Sequence, residues 1–375
     1  MIPLEYQHYE ESLLLCSVHR YISAMLMEAC NIEWISPEEL DEHLSMGWFR
    51  GRGILFKAGL ICFDGKLQST LNVRIPVHSF APKKTHRKLL KRNRKRYRVV
   101  WGTPQYDESR NVIYREHSKR FKEYTYESID DAYMMNGPER QFEEYECSVY
   151  CDDELVAISY VDVGARSMAS IMCCFKEKNA GDSLGIYTML EELEFARSLG
   201  LEYYYPGYVM DGSSAFDYKL SLAPVEWLTE DGNWRLGNRD VIHKTLLSEL
   251  QERMHDLHER LSLHGIDATL RYYPFFAAGF INTPFNMLDL PAFFLWQGAE
   301  RTLAAGYDLD AGQYLFFEPI YVHEWDEFRM PGLSDEFLSN PLYEVHFIKA
   351  DYRVYFEDFS ALFCVLEEIS QTNSE

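Results

Sequence analysis

Two short segments carry groups that can bind an anion or orient a reacting carbonyl. In the first, Ser183-Leu184-Gly185 follows a polar stretch and precedes apolar residues at helical spacing. The free N–H groups at the start of such a helix favour an anion. In the second, Gly207 ends a predicted strand, where backbone can approach a ligand closely, and Tyr218-Lys219 comes soon after. Each pattern alone is commonly structural, so the surrounding elements decide its meaning.

A run of cations at residues 83–98 is the main charge feature of the chain. These sixteen residues hold ten of the 37 Lys and Arg and no acid, in a chain of formal net charge −22. Like charges at this density repel one another, and such runs are typical of segments that bind an anion. Nucleic acid is the first candidate, because Lys and Arg contact phosphates and Asn93 and Tyr97 could contact sugar or base. A membrane surface or an acidic protein is the alternative.

Composition limits the remaining classes of protein. The 375 residues allow two or three domains, and a 47% hydrophobic share supplies packed cores. Residues 1–16 lack a basic segment followed by an apolar one, so we expect no secretory signal and a cytoplasmic location. Prolines interrupt the longest apolar stretch, residues 272–296, which excludes a continuous membrane helix there.

The cysteines and histidines do not predict a metal site. None of the eight cysteines forms a CxxC pair, so we expect free thiols and no zinc ribbon, redox dithiol or disulfide framework. His255 and His258 are spaced to share one helix face, but neither an HExxH pattern nor a third ligand accompanies them. We therefore predict no bound metal.

The predicted elements place both segments in an α+β domain. Ser36 caps a short helix that begins at Pro37, and alternating apolar residues at 71–77 predict a strand leading into the cationic run. An antiparallel meander over residues 147–175 is followed by a helix from Ser183 to Gly200 and a strand at 201–205. This order resembles the GNAT acyltransferase fold, in which the donor's phosphates meet the helix N-terminus.

The composition shifts beyond Trp227. Asn238 or Asp240 is predicted to cap an amphipathic helix that ends at Gly265. Residues 313–322 and 342–356 are predicted to contain strands.

Motifs in the N-terminal half resemble the aminoacyl-tRNA–protein transferases. This family includes arginyl-tRNA–protein transferase and the bacterial leucyltransferase that acts on N-terminal Asp and Glu. Residues 36–39 and 47–50 are similar to the family's SPEE and GWRR segment. Residues 71–77 and 80–93 are similar to its LRVPV, F-x-P-S-R-S-Q-R-R and R-R-N patterns, in uninterrupted register.

A third stretch completes the resemblance, which covers about residues 30–230. Ser183-Leu184-Gly185-Ile186-Tyr187 is similar to the family's SLGxY, residues 205–208 to its YLGY, and residues 218–224 to its YKxxxxP. The resemblance implies a GNAT-like catalytic domain at residues 81–230. An N-terminal domain at 1–80 precedes it, and an additional C-terminal α+β domain at 231–375 follows.

The implied activity is an aminoacyl transfer. An amino acid, most simply arginine, moves from aminoacyl-tRNA to the N-terminal α-amine of a protein that starts with an acidic residue. The amine must be held against the ester carbonyl, and the developing oxyanion must be stabilised. No cofactor is expected, because aminoacyl-tRNA is the co-substrate.

The same motifs suggest residue roles. Tyr187, Tyr208 and Lys219 are the catalytic candidates, and Lys219 is alternatively a ligand of the tRNA's terminal phosphate or of the acceptor's acidic side chain. The candidates for substrate binding are Arg74, Arg87, Ser183, Gly185, Gly207 and Tyr218. The candidates for tRNA binding are Lys83, Lys84, Arg87, Lys88, Lys91, Arg92, Asn93 and Arg94.

The chain departs from the family pattern in two respects. The family's cysteine pair and CxxC-type cluster are missing, and only Cys62 lies near the second, so no metal or iron–sulfur cluster is expected. Pro206 and Ala223 replace the family's Leu and Arg, so substrate choice can differ.

Two other functions stay open. One is an acetyl-CoA-dependent GNAT acetyltransferase, although residues 176–183 lack the usual Q/R-x-x-G-x-G/A form. The other is a non-catalytic tRNA-binding protein of the same fold. The tail from residue 231 is hypothesised to cap the catalytic cleft or to support a dimer.

Overall fold

The computed structural model describes residues 26–51, 54–63, 66–120, 126–133, 141–277, 287–298, 301–322 and 340–356. Helices and strands mix in these ranges, which confirms the predicted α+β class. The strands form a three-stranded, a ten-stranded and a five-stranded sheet. No helix in these ranges is long and apolar enough to cross a membrane.

The first elements form the small sheet and its helix. They are β1 (Met27–Asn31), α1 (Pro37–Ser45), β2 (Phe49–Gly51) and β3 (Ile54–Ala58). Strand β3 pairs antiparallel with both β1 and β2. Helix α1 begins as predicted, because the side chains of Ser36 and Glu39 each accept a hydrogen bond from the other's backbone N–H.

Strand β5 pairs with more strands than any other in the large sheet. The strands are β4 (Leu60–Phe63), β5 (Lys66–Pro76), β6 (Arg98–Gly102), β7 (Glu144–Cys151), β8 (Glu154–Val163), β9 (Ser167–Phe175), β10 (Tyr203–Tyr205), β11 (Tyr208–Met210), β12 (Glu226–Leu228) and β13 (Trp234–Leu236). Their order is β13-β12-β5-β10-β9-β8-β7-β6, and β4 and β11 also pair with β5. Along β5, Leu71, Val73 and Ile75 are buried and alternate with half-buried residues, which confirms the predicted strand.

A gap opens between β9 and β10. Strand β10 runs parallel to β9 but pairs only with residues 167–169, whereas β9 continues to Phe175. Beyond Ala169 no described strand pairs with that edge of β9, and residues 170–173 are half-buried. Helix α2 is Lys84–Arg96, α3 is Glu108–Ser118, α4 is Ile129–Tyr133 and α5 is Leu184–Ser198. Helix α5 joins β9 to β10 and packs against β9, so the gap lies beside its N-terminal half.

Helix α2 contains most of the cationic run. Its buried residues, His86, Leu90 and Asn93, recur at helical spacing and face the protein. Leu89, beside Leu90, is half-buried. Helix α2 also packs against α5, which brings the cationic run to the elements that border the gap.

The C-terminal elements form a separate sheet. They are α6 (Leu246–Leu263), β14 (Thr269–Tyr272), β15 (Ala292–Gln297), β16 (Thr302–Asp308), β17 (Gln313–Tyr321) and β18 (Ile348–Phe356), with the strands in sequence order across the sheet. Their hydrophobic cluster includes Leu26, Leu60 and Leu67 from the beginning of the described chain. The C-terminal core is therefore built from both ends of the sequence.

The predicted start of helix α6 was wrong. The helix begins at Leu246, after a capping box between Thr245 and Ser248, and not after Asn238 or Asp240. The Glu230 carboxylate accepts hydrogen bonds from the N–H groups of His243 and Lys244, which holds the preceding segment in another conformation. Strand β18 likewise begins later than the predicted residue 342. The domain boundaries at residues 80 and 230 and the GNAT-like assignment remain predictions.

Candidate functional site

Lys219 lies buried beside Gly207 and Tyr208. It belongs to a short 3₁₀ turn, Asp217–Ser221, which packs against β11. Its Nζ donates to the Tyr208 carbonyl at 3.0 Å and lies 4.9 Å from the ring centroid of Phe216. The residue is 9% exposed. Three of the candidates named from the sequence, Gly207, Tyr208 and Lys219, therefore share one site.

Gly207 makes room for the amine. Its φ of +91° is in the left-handed region that favours glycine. A Cβ at this position would lie 2.9 Å from Lys219 Nζ. Gly207 itself is half-buried, so bare backbone reaches the surface next to the amine.

Among the residues that the structure describes, no carboxylate lies beside the charge of Lys219. Burial lowers the pKa of Lys219 to about 8, because the ammonium loses hydration. No Asp or Glu in the described ranges is within 4.0 Å of Nζ. With a pKa about one unit above neutrality, the side chain is mainly protonated at pH 7.

Tyr218 connects this site to the gap. The residue is 42% exposed. Burial of its hydroxyl, with nearby Cys173 and Glu192, raises its pKa to about 12. Cys173 is on β9 and Glu192 is on α5, so the hydroxyl points toward the elements that border the gap.

The turn before α5 is held by the cationic helix. The Asp182 carbonyl accepts from Arg92 Nη2 and Asn93 Nδ2, both at 2.9 Å. Its carboxylate accepts from Arg96 at 2.8 Å and from the Tyr97 hydroxyl at 2.6 Å. Asp182 therefore joins α2 to the start of α5, and Asn93, which is fully buried, serves this junction and has no exposed surface for tRNA.

Ser183 and Gly185 lie at this junction. Ser183 has φ 54° and ψ 46°, and its side chain makes no capping hydrogen bond. The first turn of α5 contains no acid. Both residues thus occupy the helix start that the sequence predicts, one and three residues after Asp182.

Tyr187 and Arg94 are committed to the packing of α5. Tyr187 is fully buried, with its ring 6.4 Å from that of Tyr97. Burial, and then the Glu191 carboxylate, raise the pKa of Tyr187. Arg94 donates to both oxygens of Glu191 at 2.8 Å. Tyr187 is therefore apart from the Lys219 site, in the contact between α2 and α5.

Arg74 occupies a third environment. Its Nε donates to Glu226 at 2.7 Å, and its guanidinium lies 3.8 Å from the ring centroid of Tyr203 and 4.4 Å from that of Trp234. The arginine is thus matched by a carboxylate and enclosed by aromatic rings. Its Nη1 also donates to the Tyr205 hydroxyl at 3.4 Å.

The cationic helix has an open face. Lys84, Arg87, Lys88, Lys91 and Lys95 are exposed, and within the described ranges none has a carboxylate within 4.0 Å. At 100° per residue these five fall on one side of α2, opposite His86, Leu90 and Asn93. We call them the open cation stripe. Lys83, also exposed, is the N-cap residue of the helix.

Several residues that make these contacts were not predicted from the sequence. Asp182 and Glu191 stand in ordinary polar and amphipathic patterns, and only their three-dimensional partners reveal them. Glu192 is also buried, and accepts from Ser159 and, at 2.6 Å, from the Tyr204 hydroxyl. No sequence feature pointed to Phe216 except its position near Tyr218-Lys219.

No metal centre was found in the described ranges, where no three His, Cys, Asp or Glu side chains come together as ligands. His255 and His258 are exposed on α6, as expected, and His258 stacks on Phe294 at 5.3 Å. The cysteines in these ranges are free thiols; Cys16 and Cys364 lie outside them.

Comparisons with known proteins agree with the resemblance. Residues 104–229 match the family model described as "Arginine-tRNA-protein transferase, C terminus". An aspartate/glutamate leucyltransferase of Acinetobacter baumannii is 27% identical over 236 residues, which cover 60% of this chain and 82% of that protein. One of Leptospira interrogans is 24% identical over 201 residues, covering 52% and 76%.

Similarity to solved structures is weaker. L-PGS from Bacillus licheniformis is 14% identical with a TM-score of 0.28, over 41% of this chain and 50% of that chain. A TM-score this low supports no conclusion about the fold.

Proposed function

Since the chain belongs, through residues 104–229, to the aminoacyl-tRNA–protein transferase family, we propose that it moves an amino acid from aminoacyl-tRNA to the N-terminus of a protein. The acceptor in this proposal starts with Asp or Glu, as the names of the relatives specify. The single observation that carries the proposal is the family match, because the matched residues contain Gly207, Tyr208, Tyr218 and Lys219. The reaction would take place in the cytoplasm, with no cofactor.

The gap between β9 and β10 is the proposed place of the reaction. A GNAT-like arrangement is part of the proposal, and the antiparallel β7-β8-β9 order, the crossover through α5 and the parallel β10 support it. In the reaction the acceptor's neutral α-amine attacks the ester carbonyl. The C–N bond forms, the C–O bond to the tRNA ribose breaks, and the amine proton leaves with the ribose hydroxyl. Holding the two reactants together supplies much of the rate enhancement.

The open cation stripe is the proposed tRNA contact. Its five cations span twelve residues of helix, about 16 Å, and project toward solvent. The contacts of α2 with Asp182 and Glu191 connect a tRNA on this face to the start of α5. The strongly acidic remainder of the chain would disfavour nucleic acid elsewhere on the surface.

The identity of the transferred amino acid is a more specific part of the proposal. The sequence-based expectation is arginine, whereas the relatives' names concern leucyl transfer. We therefore propose to compare leucyl-tRNA and arginyl-tRNA first as donors.

The test is a direct transfer assay. The full chain is mixed with a peptide that begins with Asp or Glu and with tRNAs charged with leucine, arginine or other amino acids, and the peptide is weighed by mass spectrometry. We expect the mass to increase by one amino-acid residue only with charged tRNA. No increase with any charged tRNA would reject the proposal, and an increase by one acetyl group with acetyl-CoA would favour an acetyltransferase.

A further inference from the structure

The described part of the chain matches its buried cations with carboxylates. Arg50 donates to Glu144 and to Asp162, the latter at 2.7 Å, and its side chain is 3% exposed. Arg110 donates to Glu146 at 2.7 Å and to Asp107 at 2.8 Å. A buried charge without such a partner is costly, so this pairing is expected.

Lys219 departs from this rule. Its nearest polar partner is a neutral carbonyl, and the other groups around Nζ are the rings of Tyr208 and Phe216. The nearby Asp217 is instead paired with Arg239 at 2.9 Å. Within the described ranges this buried ammonium has no carboxylate partner, which indicates that its counter-charge comes from a ligand.

The ammonium also has hydrogen-bonding capacity to spare. It carries three N–H donors, and the Tyr208 carbonyl accepts from one. The half-buried backbone at Gly207, which has no side chain, lies on the approach to Nζ. Two donors are therefore available to the two oxygens of one small carboxylate, a short charge-assisted contact.

From this geometry we infer that Lys219 binds the side-chain carboxylate of the acceptor protein's first residue. The inference rests on the proposed function and makes Lys219 a specificity-determining residue within it. Asp and Glu fit because each brings one negative charge to one ammonium. Asn and Gln have nearly the same shape, but they leave that ammonium without a counter-charge.

The site differs in kind from the open cation stripe. The stripe presents several exposed cations to a polyanion, whereas Lys219 is a single charge between two aromatic rings. A terminal phosphate of tRNA at Lys219 is the competing occupant. It predicts that Lys219 affects tRNA binding and leaves the choice between Asp and Asn peptides unchanged.

The test compares four peptides that differ only in an N-terminal Asp, Asn, Glu or Gln. Their affinities for the full chain are measured by fluorescence anisotropy, for the wild type, Lys219→Met and the control Lys244→Met. Lys244 is half-exposed and pairs with Glu249 and Glu252 on the surface. We expect Lys219→Met to weaken binding of the acidic peptides by about 30-fold or more and that of the amide peptides by less than about threefold, whereas the control changes neither.

A transfer assay on the same set adds kcat/KM for each peptide. Equal losses for acidic and amide peptides, or no loss for either, would overturn the inference. Failure of the proposed function appears differently, as wild-type protein that transfers nothing with any tRNA, and the binding comparison remains informative in that case.

A second measurement does not depend on a folded variant. In the wild type the preference for Asp over Asn should shrink as the pH rises above 8 and the ammonium deprotonates, while the α-amine titrates in both peptides alike. A preference that stays constant up to pH 10 would overturn the inference, as would its absence at pH 7.

Discussion

Lys219 destabilises the fold that contains it. Its pKa falls from 10.5 to about 8 on burial, so the folded state holds the proton less tightly than the unfolded state does. Below pH 8 both states are protonated, and the folded state bears the full cost of the buried charge. Between pH 8 and 10.5 the unfolded state binds more protons, so stability rises with pH.

The first prediction is therefore that Lys219→Met stabilises the protein at pH 7. A lowering of about 2.5 pKa units corresponds to roughly 3 kcal/mol in the free energy of unfolding. Chemical denaturation at pH 7 and at pH 10 measures it, with Lys244→Met as a control that should change little. The advantage of the variant should narrow between these pH values. An equal advantage at both, or a less stable variant at pH 7, would contradict the burial argument.

At the residue scale, the sequence predicted site residues that stand in a recognisable motif, and it missed residues that only a three-dimensional contact identifies. Gly207, Tyr208 and Lys219 could be named as site candidates because they stand in short segments that resemble a family pattern, and the structure brings them together. Tyr187 stands in the same kind of segment, yet its hydroxyl is buried in the contact between α2 and α5. A motif specifies which residue is present, whereas packing decides which way its side chain points.

At the element scale, the cations of helix α2 fall into two sets. Arg92, Arg94 and Arg96 contact Asp182 or Glu191, and the open cation stripe faces solvent. The run of ten cations is therefore not uniform. Only part of it is available to a polyanion without breaking contacts inside the protein.

The second prediction distinguishes the open cation stripe from the arginines that contact Asp182 or Glu191. Replacing Lys84, Lys88 and Lys91 together by Ala should weaken tRNA binding and reduce the slope of log affinity against log salt by about three, because each lost phosphate contact contributes about one. Thermal stability should change little, since these side chains are exposed. Filter binding at several salt concentrations measures the slope.

Arg94→Ala is the matched variant among the cations that contact a carboxylate. It leaves the buried Glu191 without its bidentate partner, so we expect a loss of stability of about 1–3 kcal/mol and a smaller change in the salt slope. A reversed pattern, with Arg94 dominating the slope, would show that the tRNA binds the cations that contact Asp182 and Glu191 and not the open cation stripe.

The buried face of α2 can be identified from helical periodicity, whereas the start of α6 cannot. The buried residues of α2 recur every three or four positions within the segment itself. The start of α6 depends on Glu230, which binds two backbone N–H groups thirteen and fourteen residues further along the chain. The local sequence pattern around the helix start does not identify an acceptor this far away in the chain.

At the scale of the whole molecule, the C-terminal sheet is joined to the N-terminal half. Leu26, Leu60 and Leu67 belong to its hydrophobic cluster, and Ser69 on β5 accepts a hydrogen bond from the Leu247 N–H at 2.8 Å. These contacts were not predictable, because the resemblance ends near residue 230 and the periodicity of either segment does not identify its partner.

The third prediction is that a chain ending at Glu230 will be poorly stable. It exposes the leucines that the C-terminal cluster covers, each worth about 1.5–3 kcal/mol of burial. Size-exclusion chromatography and thermal unfolding should show aggregation or a lowered Tm relative to the full chain. A shortened chain that stays monodisperse and transfers amino acids normally would show that residues 231–375 neither cap the cleft nor complete the fold.

The pairing of β5 also sets an order for folding on the ribosome. Its first residues pair with the adjacent β4, but the rest pair with β10, β11 and β12, whose residues lie between positions 203 and 228. Until those strands emerge, Val73 and Ile75, both fully buried in the finished protein, have no sheet to join. Long-range pairing of this kind slows folding, so the nascent chain must keep an apolar strand from premature contacts during most of the synthesis of the proposed catalytic domain.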